Sequence, residues 1–115
     1  MAKYESSLDL YFSALANPTR RAILSRLARG RASVSELTAV QTMALPSLME
    51  HLKKLEDAGL ITSAKEGRVR VCELAPDAFI PAQDWLSAQK TIWNTRLDRL
   101  DDYVATILKE RDDEP

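Results

Sequence analysis

The stretch LPSLMEHLKKLEDAGLI (45–61) concentrates side chains that can hydrogen-bond: Ser47, Glu50, His51, Lys53 and Lys54. On an exposed helix face these are the groups a DNA major groove can use. Ser47 donates or accepts, Glu50 can accept from cytosine N4, and His51 can meet a base edge or a phosphate. Lys53 and Lys54 suit phosphates, which position a protein without reading sequence. A short way on, Lys65, Arg68 and Arg70 flank Gly67. Arginine at the tip of a β-ribbon fits a narrow, electronegative minor groove. Taken singly, the same residues also describe a solvated helix face and a hairpin kept soluble by charge. The elements around them decide between the two.

Other chemistries find little support. One Cys and one His exclude a disulfide framework, a Cys-built zinc site and most His-based metal cages. No Gly-rich phosphate loop and no nucleophile with a plausible His partner is present, so no enzyme is expected. Asp98, Asp101 and Asp102 read as a solvated acidic face. Cys72 has no second Cys to pair with and reads as a small buried hydrophobe, even with Arg70 nearby. Trp85 and Trp93 read as core or interface anchors more than as the lining of a ligand pocket. Neither a metal nor a cofactor is expected.

The elements that must hold the DNA-type residues follow from spacing. Leu8, Tyr11, Phe12 and Leu15 fall at i, i+3, i+4, i+7 and predict a helix over 5–16. Asn17-Pro18 caps and opens a second helix, with Ala22, Ile23, Leu24 and Leu27 as its stripe, Arg20, Arg21, Arg26 and Arg29 decorating it, and Gly30 as its stop. Ser33 and Glu36 fit a capping box that opens a short helix over 34–40, burying Val34, Leu37 and Val40. A tight turn at 41–43 leads to the next helix, with Pro46 in its first turn and Gly59 at its end. Short helix, brief turn and second helix have the proportions of a helix-turn-helix, over about 33–59. Residues 60–63 and 69–74 read as strands around a tip at 65–68, so 60–74 forms a wing.

From 81 to 109 the chain holds no Gly and no internal Pro beyond its first position. A helix over that span is about 40 Å long, more than a small domain needs. Trp93, Leu97, Leu100, Val104 and Ile107 follow 4-3-4-3 spacing, which suits a partner helix. The fold expected is mainly α with a small β-hairpin: a winged helix-turn-helix with a long C-terminal dimerisation helix. Residues 1–110 make one domain and 111–115 an acidic tail.

Length and charge agree with this. The 115 residues carry a net charge of −1, with 16 basic against 17 acidic side chains. A monomer this small buries only roughly 65% of its unfolded surface, so a second subunit would help it. Residues 17–72 hold ten Lys/Arg against five Asp/Glu, whereas 73–115 hold five against ten. A basic middle beside an acidic end suggests a face made for an anion. No apolar run reaches the ~18–20 residues of a membrane span, and the N-terminal segment lacks the form of a secretory signal. The expectation is a soluble, cytoplasmic protein without a membrane partner.

From Leu8 to about Leu74 the chain resembles the ArsR/SmtB family of winged-helix repressors. The residues that carry this are FSALANPTRRAILSRLARG (12–30), SVSELTAV (33–40), LPSLMEHLKKLEDAGLI (45–61) and KEGRVRVCEL (65–74). The tail WLSAQKTIWNTRLDRLDDYV (85–104) is similar to that of a subgroup with a Trp-rich last helix. The resemblance implies a homodimer built through the first and last helices, with Leu8 and Tyr11 joining Trp93, Leu97, Leu100, Val104 and Ile107 at the interface. It implies an inverted-repeat operator in double-stranded DNA and repression relieved by a signal, a small-molecule inducer among the candidates. By position it places Ser47, Met49, Glu50, His51 and Lys53 on the recognition helix and Arg68 on the wing. Metal-sensing members carry a Cys-x-Cys where this chain has Ser33 and Ser35, and others use a His on the last helix, which has none here. A second reading fits the same residues. The modest charge of 17–72 and the acid Glu50 also fit a winged helix that binds protein.

Overall fold

The computed structural model describes the backbone of residues 3–112 and the side chains of 7–112. The chain divides at Ile80/Pro81 into two units.

The first unit begins with α1 (Lys3–Leu15) and α2 (Pro18–Leu27). Asn17 caps α2 by accepting a hydrogen bond from the Arg20 backbone N–H at 3.0 Å, and Pro18 opens the helix. A two-residue strand, β1 (Ala32–Ser33), precedes α3 (Val34–Gln41). The capping box is present. Ser33 Oγ accepts from the Glu36 N–H at 3.1 Å, and Glu36 Oε1 accepts from the Ser33 N–H at 3.3 Å. After a turn in which Thr42 adopts a left-handed φ of 48°, α4 (Leu45–Asp57) follows. Then come β2 (Ile61–Glu66) and β3 (Val69–Leu74).

The sheet is antiparallel in the order β1-β3-β2, so the expected two-stranded hairpin is a three-stranded sheet. Cys72 lies opposite Ser63 on one side and Ala32 on the other. β1 is too short for any alternating pattern to announce it.

The core gathers Ile23, Leu37, Leu48, Leu55, Leu60 and Cys72, all fully buried. Each large aliphatic side chain among them contributes about 1.5–3 kcal/mol. On α3 only Leu37 is buried. Val34 is half-buried and Val40 is 57% exposed, so the expected three-residue stripe narrows to one anchor. Tyr11 is 3% exposed and donates its hydroxyl to the Ala78 carbonyl at 2.7 Å. It therefore belongs to the core of this unit. Leu8 is half-buried. Arg20, read as surface decoration, is 7% exposed. It continues the stripe of Ile23, Leu24 and Leu27 at i, i+3, i+4, i+7.

The join between α4 and β2 is a Schellman turn. The Leu60 N–H reaches the Leu55 carbonyl at 3.0 Å and the Gly59 N–H reaches the Glu56 carbonyl at 3.0 Å. Gly59 has φ +77°, a conformation other residues adopt only at a cost. Leu55 and Leu60, both fully buried, make the apolar pair that accompanies this motif.

The second unit is a single helix, α5 (Ile80–Asp112 with its first residue at the boundary), longer than the expected 81–109. It absorbs residues 111 and 112 of the expected tail; residues 113–115 lie outside the described residues. None of its residues is buried. Trp93, Leu97, Leu100, Val104 and Ile107 are between 39% and 57% exposed. No helix among the described residues is long and apolar enough to cross a membrane.

Candidate nucleic-acid interface

α4 owes its orientation to Leu48, Leu52 and Leu55, which sit at i, i+4, i+7 and are all buried. That anchoring turns Ser47, Met49, Glu50, Lys53 and Lys54 outward, and all five are exposed. Ala44, at the N-cap, supplies no side-chain acceptor to the first turn. Lys53 leans along the helix to Asp57 at 3.3 Å, yet its side chain stays 76% exposed. An exposed i,i+4 pair of this kind is weak and can yield its lysine to a phosphate. Among the described residues, the side chains of Glu50 and Lys54 have no hydrogen-bond or ion-pair partner.

His51 departs from the set. Its ring is half-buried, and Nδ1 lies 3.2 Å from Nη1 of Arg20. One ring nitrogen is thus engaged inside the protein. The chain gives no local cue for this, because the two partners lie 31 residues apart.

The wing tip is a two-residue loop, Gly67-Arg68, between the paired Glu66 and Val69. Gly67 has φ +66° and comes first in the loop, the residue order of a type II′ turn. Arg68 is exposed there and, among the described residues, without an ion-pair partner. Lys65 lies directly opposite Arg70 across the two strands. Like charges placed so destabilise a hairpin in isolation, and an anion between them removes the penalty.

Arg70 does more than decorate the tip. Its Nη1 donates to Ser63 Oγ at 3.0 Å, and Ser63 Oγ in turn donates to Glu56 Oε1 of α4 at 3.0 Å. This chain links the wing to the helix. Arg68, Arg70 and Val69 of the wing meet Leu45 and Met49 of α4 and Val34 and Ser35 of α3 around a groove of about 350 Å³. Met49 of the helix candidates and Arg68 and Arg70 of the wing candidates thus line one groove. Glu66 is occupied by an ion pair with Arg31, and this carboxylate holds the guanidinium above its ordinary range.

Cys72 floors a second groove, about 400 Å³, between α4 and the wing strands. Burial pushes its thiol up, Glu56 adds to the effect, and Arg70 opposes it. A thiol held protonated is a poor nucleophile and a poor metal ligand. No group of three or more His, Cys, Asp or Glu side chains among the described residues is placed to hold a metal ion.

Residues 15–64 match the family described as helix-turn-helix domain. The chain is 41% identical over 76 residues to the HTH-type transcriptional regulator Rv2034 of Mycobacterium tuberculosis, covering 66% of this chain and 70% of that protein. It is 49% identical to the ArsR family transcriptional regulator RHA00566, whose crystal structure superposes with a TM-score of 0.75 over 82% of this chain and 97% of that one. The homodimeric winged helix-turn-helix DNA-binding domain of a possible ArsR-family regulator from Mycobacterium bovis, solved in solution, gives a TM-score of 0.62 at 23% identity. That match covers 80% of this chain and 91% of that one, and at this identity the likeness speaks for the fold.

Proposed function

The chain belongs to the ArsR family of winged helix-turn-helix transcriptional regulators, and from this we propose that it is a homodimeric, cytoplasmic repressor that binds an inverted-repeat operator. DNA binding and transcription regulation come with the family. The observation that carries the rest is the shared groove, where Met49 of the recognition helix, α4, meets Arg68 and Arg70 of the wing. Ser47, Met49, Glu50, Lys53 and Lys54 enter the major groove, with Glu50 as the base-reading acceptor and the lysines on phosphates. Lys65, Arg68 and Arg70 reach the flanking minor groove and backbone.

The homodimer rests on α5. Its five apolar residues at 4-3-4-3 spacing stand exposed in the single chain, and a second copy of the helix covers them. The homodimeric state of the M. bovis domain supports this. Two recognition helices then lie about 34 Å apart, on successive major-groove faces. A signal relieves repression, and a small-molecule inducer fits that role.

Glu50 favours one second reading. An unpaired acid on the DNA face repels phosphates, as a protein-binding surface would tolerate. Selection of bound duplexes from a random pool, followed by anisotropy titrations across salt, separates the two. The repressor reading expects an inverted repeat with half-sites about one helical turn apart and an affinity that falls steeply with salt. Recovery of no consensus, with only weak salt-sensitive binding, supports the protein-binding reading.

A further inference from the structure

We propose that Arg20 and His51 form a positioning pair that sets the angle of the recognition helix relative to the end of α1. The side chain of Arg20 is buried on α2 and spends its donors on two other helices. Nε donates to the Ala14 carbonyl at 2.9 Å and Nη2 to the Ser13 carbonyl at 3.1 Å, both in the last turn of α1. Nη1 points at His51 Nδ1 on α4, 3.2 Å away. The Ser13 carbonyl also accepts from the Ala16 N–H at 3.2 Å, and carbonyls at a helix C-terminus carry negative partial charge, so a cation there is well placed. A guanidinium is planar and its donors have fixed directions, so the three bonds fix angles as well as distances. No buried side-chain nitrogen or oxygen among the described residues is left unsatisfied, so the bridge closes without a gap.

The bridge also fixes the histidine. A guanidinium only donates, so Nδ1 must accept and the ring proton resides on Nε2. His51 stands one turn beyond Ser47, on the same helix as the side chains read above as facing DNA. A rotation of α4 at this point moves all of them together. The functional effect rests on the dimeric operator reading. If α1 and α5 join the subunits, the Arg20–His51 bridge helps set how far apart two recognition helices sit, and hence which half-site spacing is accepted.

Two measurements on the full chain test this. Long-range 15N–1H spectra of the free wild-type protein should show the ring as the Nε2–H tautomer, with Nδ1 unprotonated. A ring protonated on Nδ1 overturns the pair, whatever the protein binds. The second measurement uses the selected operator and versions with one base pair added or removed between half-sites. Wild type should lose about tenfold in affinity on each change. His51→Leu, which cannot accept, should compress that loss to about twofold or less, whereas His51→Asn, with an oxygen near the position of Nδ1, should keep it. Circular dichroism and sedimentation establish that each variant is folded and in the wild-type assembly state. A folded His51→Leu chain with undiminished spacing preference overturns the proposal. A wild-type chain indifferent to spacing, with the Nε2–H tautomer in place, overturns the effect on spacing and marks the dimeric operator reading as the part that failed.

Discussion

α4 and α5 are both amphipathic, and they treat their apolar stripes in opposite ways. α4 buries Leu48, Leu52 and Leu55 and turns its polar residues outward. α5 leaves Trp93, Leu97, Leu100, Val104 and Ile107 exposed along 33 residues. Burial cost and partner chemistry explain the contrast. A helix that meets a polyanion needs its apolar side anchored so that its polar side is fixed in space. A helix that meets another protein must keep its apolar side available, because removal of that area from water supplies the attraction. One fold thus presents charge on the exposed face of one helix and hydrocarbon on the exposed face of another.

The sharpest way to break this comparison is to truncate one leucine from each helix. Leu55→Ala should cost about 3 kcal/mol in urea unfolding, because a fully buried side chain leaves a cavity. Leu100→Ala, at a residue 55% exposed, should stay within about 0.5 kcal/mol when unfolding is followed at concentrations where the chain is monomeric. Equal losses would show that the two stripes do the same work. Next in size, Lys53→Ala with Arg68→Ala should weaken operator binding by about 10- to 100-fold and, with both substitutions present in each subunit of the dimer, reduce the salt slope by about 4, with sedimentation unchanged. An unchanged slope would remove these cations from the phosphate contacts. Leu100→Glu should reverse that pattern, raising the dimer dissociation constant about tenfold or more while leaving the exposed face of α4 intact.

How much of this was legible beforehand depended on range. The Ser33–Glu36 box, the Asn17-Pro18 start and the Gly59 stop are local signals, and each is present in the structure. Ser33→Ala should accordingly cost about 1 kcal/mol, read as a shift in urea midpoint with operator spacing preference unchanged. Non-local features were harder. The first-helix stripe of Leu8, Tyr11, Phe12 and Leu15 marks a helix but cannot say what covers it, and Tyr11 proved to be held by Ala78, 67 residues away. Arg20 could have been suspected from its place on the stripe of Ile23, Leu24 and Leu27. A charged residue on an apolar stripe signals a buried partner, although not which one. Nothing in a two-residue segment such as Ala32-Ser33 could have identified β1.

The smallest expected effect concerns the groove floor. Because burial raises the Cys72 pKa above 9.0, the unfolded chain ionises first as pH rises. The thiol's contribution is complete below pH 9.0 and is lost as pH climbs toward the folded value. Relative to Cys72→Val, wild type should lose about 0.8 kcal/mol or less by a pH half a unit above the unfolded pKa. Paired urea melts at neutral and alkaline pH read that difference directly. A flat difference would place the thiol in contact with water.

The Schellman splice at Leu55–Leu60 bears on how specificity in such a chain can be altered. The recognition helix ends and the wing begins within the same few hydrogen bonds, and Glu56, Ser63 and Arg70 stitch the two again further along. An inserted or deleted residue at this join would move every following strand residue to the opposite sheet face. Chimeras that exchange operator preference with a relative should therefore be cut in the turn before Leu45 and beyond Leu74, carrying reading helix and wing as one cassette. Swapping the helix alone would pair a new reading head with an old hinge.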